Sequence, residues 1–336
     1  MRVLVLVLLL TLLPELAGAA TMLTIYSDRH RETDQTLLAG FTAETGIAVD
    51  LVDEEPEDLL ERLRREGSQS PADLVILVGA GTLAQLAEDG GLLPLRDDKA
   101  VMAVPDNLRD GIGRWVGLVW WARGIAYRVD RFKPEDVARY EDLADPKFQG
   151  QLLVRSAASP YNRALAASLV AADGVADTEA WAAGVVANLA RPPQGGDTDQ
   201  ILALARGDGG AALVNTRYWG RLGASDKVTE RDALEGLALV LPNQQDRGAS
   251  IDVIGAGVLR NAPHPGPAQA LIDYLLRPAI QEALAASGPD FPASPAAAVP
   301  DALKPLGHFR TDQGAVRRLG ALGGDAEQVL ERAGWE

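Results

Sequence analysis

The chain has 336 residues, 47% hydrophobic and 24% charged, which fits one large globular domain or two medium ones and excludes a wholly disordered or fibrous polymer. Its 47 acidic residues against 32 basic ones give a net charge of −15, so the chain is poorly suited to holding nucleic acid through the phosphates. It has no cysteine, which excludes disulfides, thiolate metal sites, iron–sulfur clusters and cysteine nucleophiles. His30, His264 and His308 are too few for a multi-histidine zinc site.

Residues 1–20 read as a secretory signal peptide. Arg2 supplies the positive start, Val3 to Leu13 is an apolar run, Pro14 breaks it, and Ala17-Gly18-Ala19 is a small-x-small cleavage site. The run has 11 residues, short of the roughly 20 that span a bilayer. No cysteine follows it for lipid attachment, so the expectation is a soluble exported protein of a bacterial periplasm.

Leu23 to Tyr26 is a short apolar run expected to form a buried strand, and Thr33 to Glu44 a helix with Leu37, Leu38 and Phe41 inward and Gly46 as its stop. Ile47 to Val52 alternates like a strand, and Glu57 to Glu66 carries Leu59, Leu60 and Leu63 on one helical face. A strand at Leu74 to Val78 and a helix at Thr82 to Glu88 complete a strand–helix alternation, the pattern of a mainly parallel sheet covered on both faces. Trp115 to Arg128 breaks the rhythm as two extended stretches sharing Trp115, Trp120 and Trp121. The alternation resumes with a strand at Leu152 to Arg155 and helices at Tyr161 to Ala171 and Thr178 to Leu189. Asp197 opens another helix, with Gln200 three residues on at capping-box spacing. Strands at Ala211 to Val214 and Gly236 to Leu241 flank a short helix, Thr216 to Leu222. Ile251 to Leu259 is again extended, and the remainder is helical with proline-rich loops at 263–267 and 289–300.

Two α/β units joined by an extended junction near 115–125 and a return near 245–259 predict an α/β protein of two lobes with two crossings. Its ligand would lie in the cleft between them. The chain contains no Gly-x-Ser-x-Gly elbow, Walker loop, His-Glu-x-x-His or Gly-x-Gly-x-x-Gly after a strand, so nothing argues for an enzyme.

Several stretches in order carry a family resemblance. They are Tyr26-Ser27-Asp28-Arg29-His30, Phe41 to Ile47 (FTAETGI), Ser70-Pro71-Ala72-Asp73, Asp145-Pro146-Lys147 with Gly150, and Ser159-Pro160-Tyr161-Asn162. Pro193-Gln194-Gly195, Asn215 to Leu222 (NTRYWGRL), Pro242-Asn243-Gln244 and Gly255-Ala256-Gly257-Val258 follow. The chain resembles the ferric-iron-binding periplasmic proteins of ABC transporters, specifically the cyanobacterial-type iron-deficiency-induced branch. The resemblance implies the two-lobed periplasmic-binding-protein fold of class II type, with two hinge crossings. It places the first lobe at 21–118 plus a return at 250–290 and the second at 122–245, with 291–336 a C-terminal helical segment packed on both. It further implies capture by lobe closure, delivery to an ABC permease in the inner membrane, and a monomer.

In that family the metal is held by one histidine or none, three or four tyrosine phenolates, and sometimes an anion. The resemblance carries these roles to His30, Tyr161 and Tyr218 as metal ligands, and to Arg31, Arg217 and Arg221 as anion-binding or surrounding residues. This chain departs from the pattern at two ligand positions, where Arg31 and Arg217 stand in place of tyrosines; Gly79 and Trp121 replace an acidic residue and an arginine of some relatives. Ferric iron prefers deprotonated oxygen ligands, whereas a guanidinium about 5 Å from a trivalent ion costs on the order of 10 kcal/mol at an effective dielectric near 20. Two readings follow: ferric iron bound with a co-bound anion, or an anion or metal–anion complex held by the arginines with the tyrosine hydroxyls donating.

Overall fold

The computed structural model describes residues 22–336; the expected signal peptide lies outside them. Nine strands carry the frame: β1 (Met22–Ser27), β2 (Ala48–Asp53), β3 (Leu74–Val78), β4 (Val116–Arg128), β5 (Leu152–Leu153), β6 (Ala211–Asn215), β7 (Leu237–Val240), β8 (Ile251–Val258) and β9 (Phe291–Pro292). Their order is β2-β1-β3-β8-β4-β6-β5, with β7 and β9 also on β4. β1 lies parallel to β2 and β3, whereas β8 runs antiparallel to both β3 and β4. After Met22 every residue of β1 is buried, because helices cover the sheet on both sides and leave no face for a polar residue.

β4 joins the two halves of the molecule. The sequence suggests two extended stretches here; the structure has one strand whose Val116–Ala122 half pairs with β8 and whose Arg123–Arg128 half pairs with β6 and β7. A register shift between Gly117 and Val119 bends the strand without ending it. Gly124 lets β7 come close, since a Cβ there would lie 2.8 Å from Leu239 Cδ1. The second passage between the sheets is the link from β7 to β8, held where Arg123 N donates to Ser250 O at 2.8 Å. The result is the mixed α/β, two-lobed arrangement expected from the alternation.

The helices Pro56–Glu66, Pro160–Asp173, Pro265–Leu275 and Pro278–Ala286 all begin on proline, whose fixed φ suits the first helical turn and whose missing N–H is no loss there. The helix at 197 differs from the expected capping box. Gly196 is its N-cap and Asp199 turns back to accept from Gly196 N at 2.7 Å. Asp197 instead points inward, fully buried, accepting from Arg123 Nη1 at 2.8 Å and Asn215 N at 2.7 Å. A carboxylate buried without exposure needs such partners, and the guanidinium within β4 offers more than the helix end does. Beyond β9 the chain runs through turns and one short 3₁₀ turn (Lys304–Leu306) before the helix Ala315–Arg332. That helix packs on Pro160–Asp173 on one side and Ala80–Glu88 on the other, so it touches both halves.

Candidate functional site

Loops at the ends of β1, β3 and β6 meet the start of helix Pro160–Asp173 and the segment before β9. Tyr161 follows the Pro160 that opens its helix, which fixes the ring against Trp121, edge-on at 5.7 Å between centroids. Tyr218 sits in helix Thr216–Gly223, whose start is fixed by β6 running directly into it. The two tyrosine hydroxyls lie 3.2 Å apart. Burial pushes the Tyr161 phenol above its ordinary range, and the neighbouring Tyr218 oxygen adds to the shift.

Arginines surround the pair. Arg155 stands 4.9 Å over the Tyr161 ring and Arg221 5.0 Å over that of Tyr218. Arg221, one helical turn after Tyr218, also donates to Thr198 Oγ1 at 2.6 Å. Arg217 is 5% exposed, lies 4.8 Å over the Trp121 ring, and donates from Nη2 to Asp290 Oδ2 at 2.9 Å. Burial works most strongly against its charge, but Asp290 together with the Tyr161 and Tyr218 oxygens outweighs it, and the pKa of Arg217 is raised. Arg31 lies against Gly288, where a Cβ would come within 2.8 Å of Nη2, so only glycine admits the guanidinium this closely. Burial and the neighbouring Arg217 both lower the pKa of Arg31.

Asp290 is fully buried among these cations. Burial pushes its carboxyl up to about 6, against the opposing pull of Arg217, Arg29 and Arg31. Its Oδ1 is buried without a hydrogen-bond partner, as is Arg31 Nε. Arg29 is turned elsewhere, paired with Asp34 and donating to Leu284 O at 3.1 Å and Ser287 Oγ at 2.8 Å.

Of the residues singled out in the sequence, Tyr161, Tyr218, Arg217 and Arg221 thus form one cluster, and Arg31 faces it electrostatically. His30 has different neighbours. Its backbone is left-handed, with φ +52°, and its imidazole is directed to carboxylates: Nδ1 to Asp53 Oδ2 at 3.0 Å and Nε2 to Glu55 Oε1 at 3.7 Å. His264 borders a helix start, 3.3 Å from Asp73, and His308 is exposed. Among the described residues no three histidine, aspartate or glutamate side chains are grouped to hold a metal.

Sequence reasoning passed over Asp290, which looked like part of a proline-rich loop. It also passed over Arg123, 3% exposed and bonded to Asp197, Asn215 and Asn162, although a lone arginine inside an apolar strand was a readable sign of a buried polar network. Asp252, 5% exposed on β8, accepts from Ala80 N at 2.7 Å and Val253 N at 2.8 Å. It also borders a cavity of about 540 Å³ between Leu60, Leu63, Pro160 and Leu319.

Comparison with known proteins places this geometry. The family described as bacterial extracellular solute-binding protein matches residues 69–310. Iron uptake protein A1 of Synechocystis sp. is 38% identical over 95% of this chain and 89% of its own length. A Trichodesmium protein (IdiA, FutA) solved in complex with iron and citrate ligands superimposes with a TM-score of 0.89 at 37% identity, covering 94% of this chain and all of that one. The ferric binding protein of Campylobacter jejuni superimposes with a TM-score of 0.87 at 32% identity, again over 94% of this chain and all of its own.

Proposed function

Since the chain belongs to the bacterial extracellular solute-binding protein family, which are binding components of transport rather than enzymes, we propose that its solute is ferric iron carried with a co-bound anion. The observation that carries this reading is the Tyr161–Tyr218 hydroxyl pair, 3.2 Å apart and ringed by guanidiniums. Two adjacent hydroxyls that shed protons to a trivalent cation make a hard-oxygen edge for iron. Two phenolates leave ferric iron short of negative charge, and Arg31, Arg217 and Arg221 deepen the deficit. The same guanidiniums supply forked donors for a carboxylate or phosphate. Iron and anion together therefore satisfy a site that neither satisfies alone, and the iron and citrate held by the Trichodesmium relative are a pair of this kind. Binding His30 as a ligand would require its imidazole to leave Asp53 and Glu55. In this reading residues 1–20 direct export to the periplasm, closure of the two lobes (21–118 with 250–290, and 122–245) traps the ligand, and an ABC permease in the inner membrane receives it from a monomeric protein.

The test is spectroscopic. Protein loaded with ferric citrate should show a phenolate-to-iron charge-transfer band, and iron should be retained more weakly after transfer to anion-free buffer. Arg217→Tyr should tighten iron and lessen its need for the anion, by restoring a phenolate and removing a cation. A protein that stays colourless, and takes up no iron even as the Arg31→Tyr, Arg217→Tyr double variant, would overturn the reading.

A further inference from the structure

We infer that Asp290 is the specificity-determining residue of this cleft: it neutralises the guanidinium cluster that replaces two tyrosines and so keeps the site open to a metal–anion complex rather than a bare anion. The inference rests on the ligand class proposed above and deepens it.

The argument is one of charge and position. Arg217 occupies a position that the family gives to a tyrosine, and is 5% exposed. A guanidinium so far from water needs a counter-charge, and removing one partner of such a pair leaves an uncompensated charge in the interior. Asp290 is that partner, at 2.9 Å, in a segment that reaches the site from beside β9, whereas Arg217 comes from the helix following β6. The pair therefore joins the two sheets at the cluster. Asp290 also faces Arg31, which Gly288 admits two residues earlier. One carboxylate thus serves two substituted positions. Its Oδ1 is buried and unpartnered, so the carboxylate keeps acceptor capacity beyond the Arg217 bond. Arg29 does not compete for it, since its hydrogen bonds go to Asp34, Leu284 and Ser287. With Asp290 charged, the cluster carries one positive charge fewer; without it, the cleft would favour whichever ligand is most negative.

The consequence is a ratio that can be measured. Equilibrium dialysis of the full mature chain against ferric citrate, and separately against citrate alone, gives the preference for the complex over the anion. Asp290→Asn should lower that preference at least about tenfold, by weakening ferric citrate and tightening citrate. Because this substitution leaves Arg217 buried without its counter-charge, the single variant can fail to fold. The Arg217→Gln, Asp290→Asn double variant removes both charges and keeps the wild-type net charge, so the lost guanidinium donors weaken both ligands together while their ratio returns toward that of wild type. A purely structural role would leave the ratio unmoved in both variants, because loss of folded protein weakens the two apparent affinities alike. An unchanged ratio in a folded Asp290→Asn protein, or no recovery in the double variant, would overturn the inference. Wild-type protein that binds citrate but not ferric citrate would overturn the iron reading instead, while tighter citrate binding by Asp290→Asn would still support the role of Asp290.

Discussion

At the scale of single residues, the molecule tolerates several buried carboxylates, and their partners differ in kind. Asp197 is met by a guanidinium, whereas Asp252 is met on Oδ1 only by two backbone N–H groups, of Ala80 and Val253. Burial accordingly pushes the Asp252 carboxyl up to about 6 from the ordinary 3.8, with those backbone bonds and Arg217 pulling the other way. An acid whose folded pKa is raised favours folding in its protonated form. Stability is therefore fully present below the unfolded value of 3.8 and is lost as pH rises through about 6. Asp252→Asn keeps an oxygen for both backbone donors and removes the ionisation. The variant should be more stable than wild type at pH 8, by roughly 1–3 kcal/mol, with the difference vanishing below about pH 4. Urea denaturation at the two pH values checks this, and an equal difference at both would argue against burial of an ionised group.

At the scale of elements, the helix Ala315–Arg332 is the piece that local sequence explains least. It binds the Pro160–Asp173 helix on one side and Ala80–Glu88 on the other. The second contact depends on Gly320, where a Cβ would stand 2.6 Å from Ala84 Cβ. No rotamer relieves a clash between two Cβ atoms, so a larger residue must push the helices apart. Gly320→Val should cost about 1–3 kcal/mol, as overpacking of close contacts does, after offsetting the few tenths of a kcal/mol that valine gains over glycine in helix propensity. Thermal denaturation of that variant beside Gly323→Val gives the control, because nothing lies within 4 Å of a Cβ at Gly323. Equal changes at both positions would mean that helix propensity, not the close contact, is being measured.

At the scale of the whole molecule, β4 and the β7–β8 link are the only strand-level passages described between the two halves, and the tyrosine–arginine cluster lies beside them. A ligand that touches both halves binds the closed arrangement more strongly and shifts the population toward it. Ferric citrate should thus reduce the radius of gyration seen by small-angle scattering, and citrate alone should reduce it less. Independently demonstrated binding with no compaction would count against closure.

The alternation of short apolar runs with helical periodicities was sufficient to read the α/β class, the crossing regions and most helices, because buried parallel strands and amphipathic helices differ in period and length. Tyr161, Tyr218 and the arginines at two tyrosine positions were legible only through motifs matched to a family, since a tyrosine at a helix start has the same local sequence whether it packs or binds. Where Arg217 points, and what neutralises it, was decided by tertiary structure alone. Asp290 stands 73 residues from Arg217 in the chain, and no local pattern couples them. The same holds for Asp197, whose sequence suits a helix cap but whose carboxylate goes to Arg123, 74 residues away. Periodicity records which face of an element is buried; the partner of a buried charge is fixed by the packing of distant elements, because the cost of leaving it unpaired is settled only once they meet.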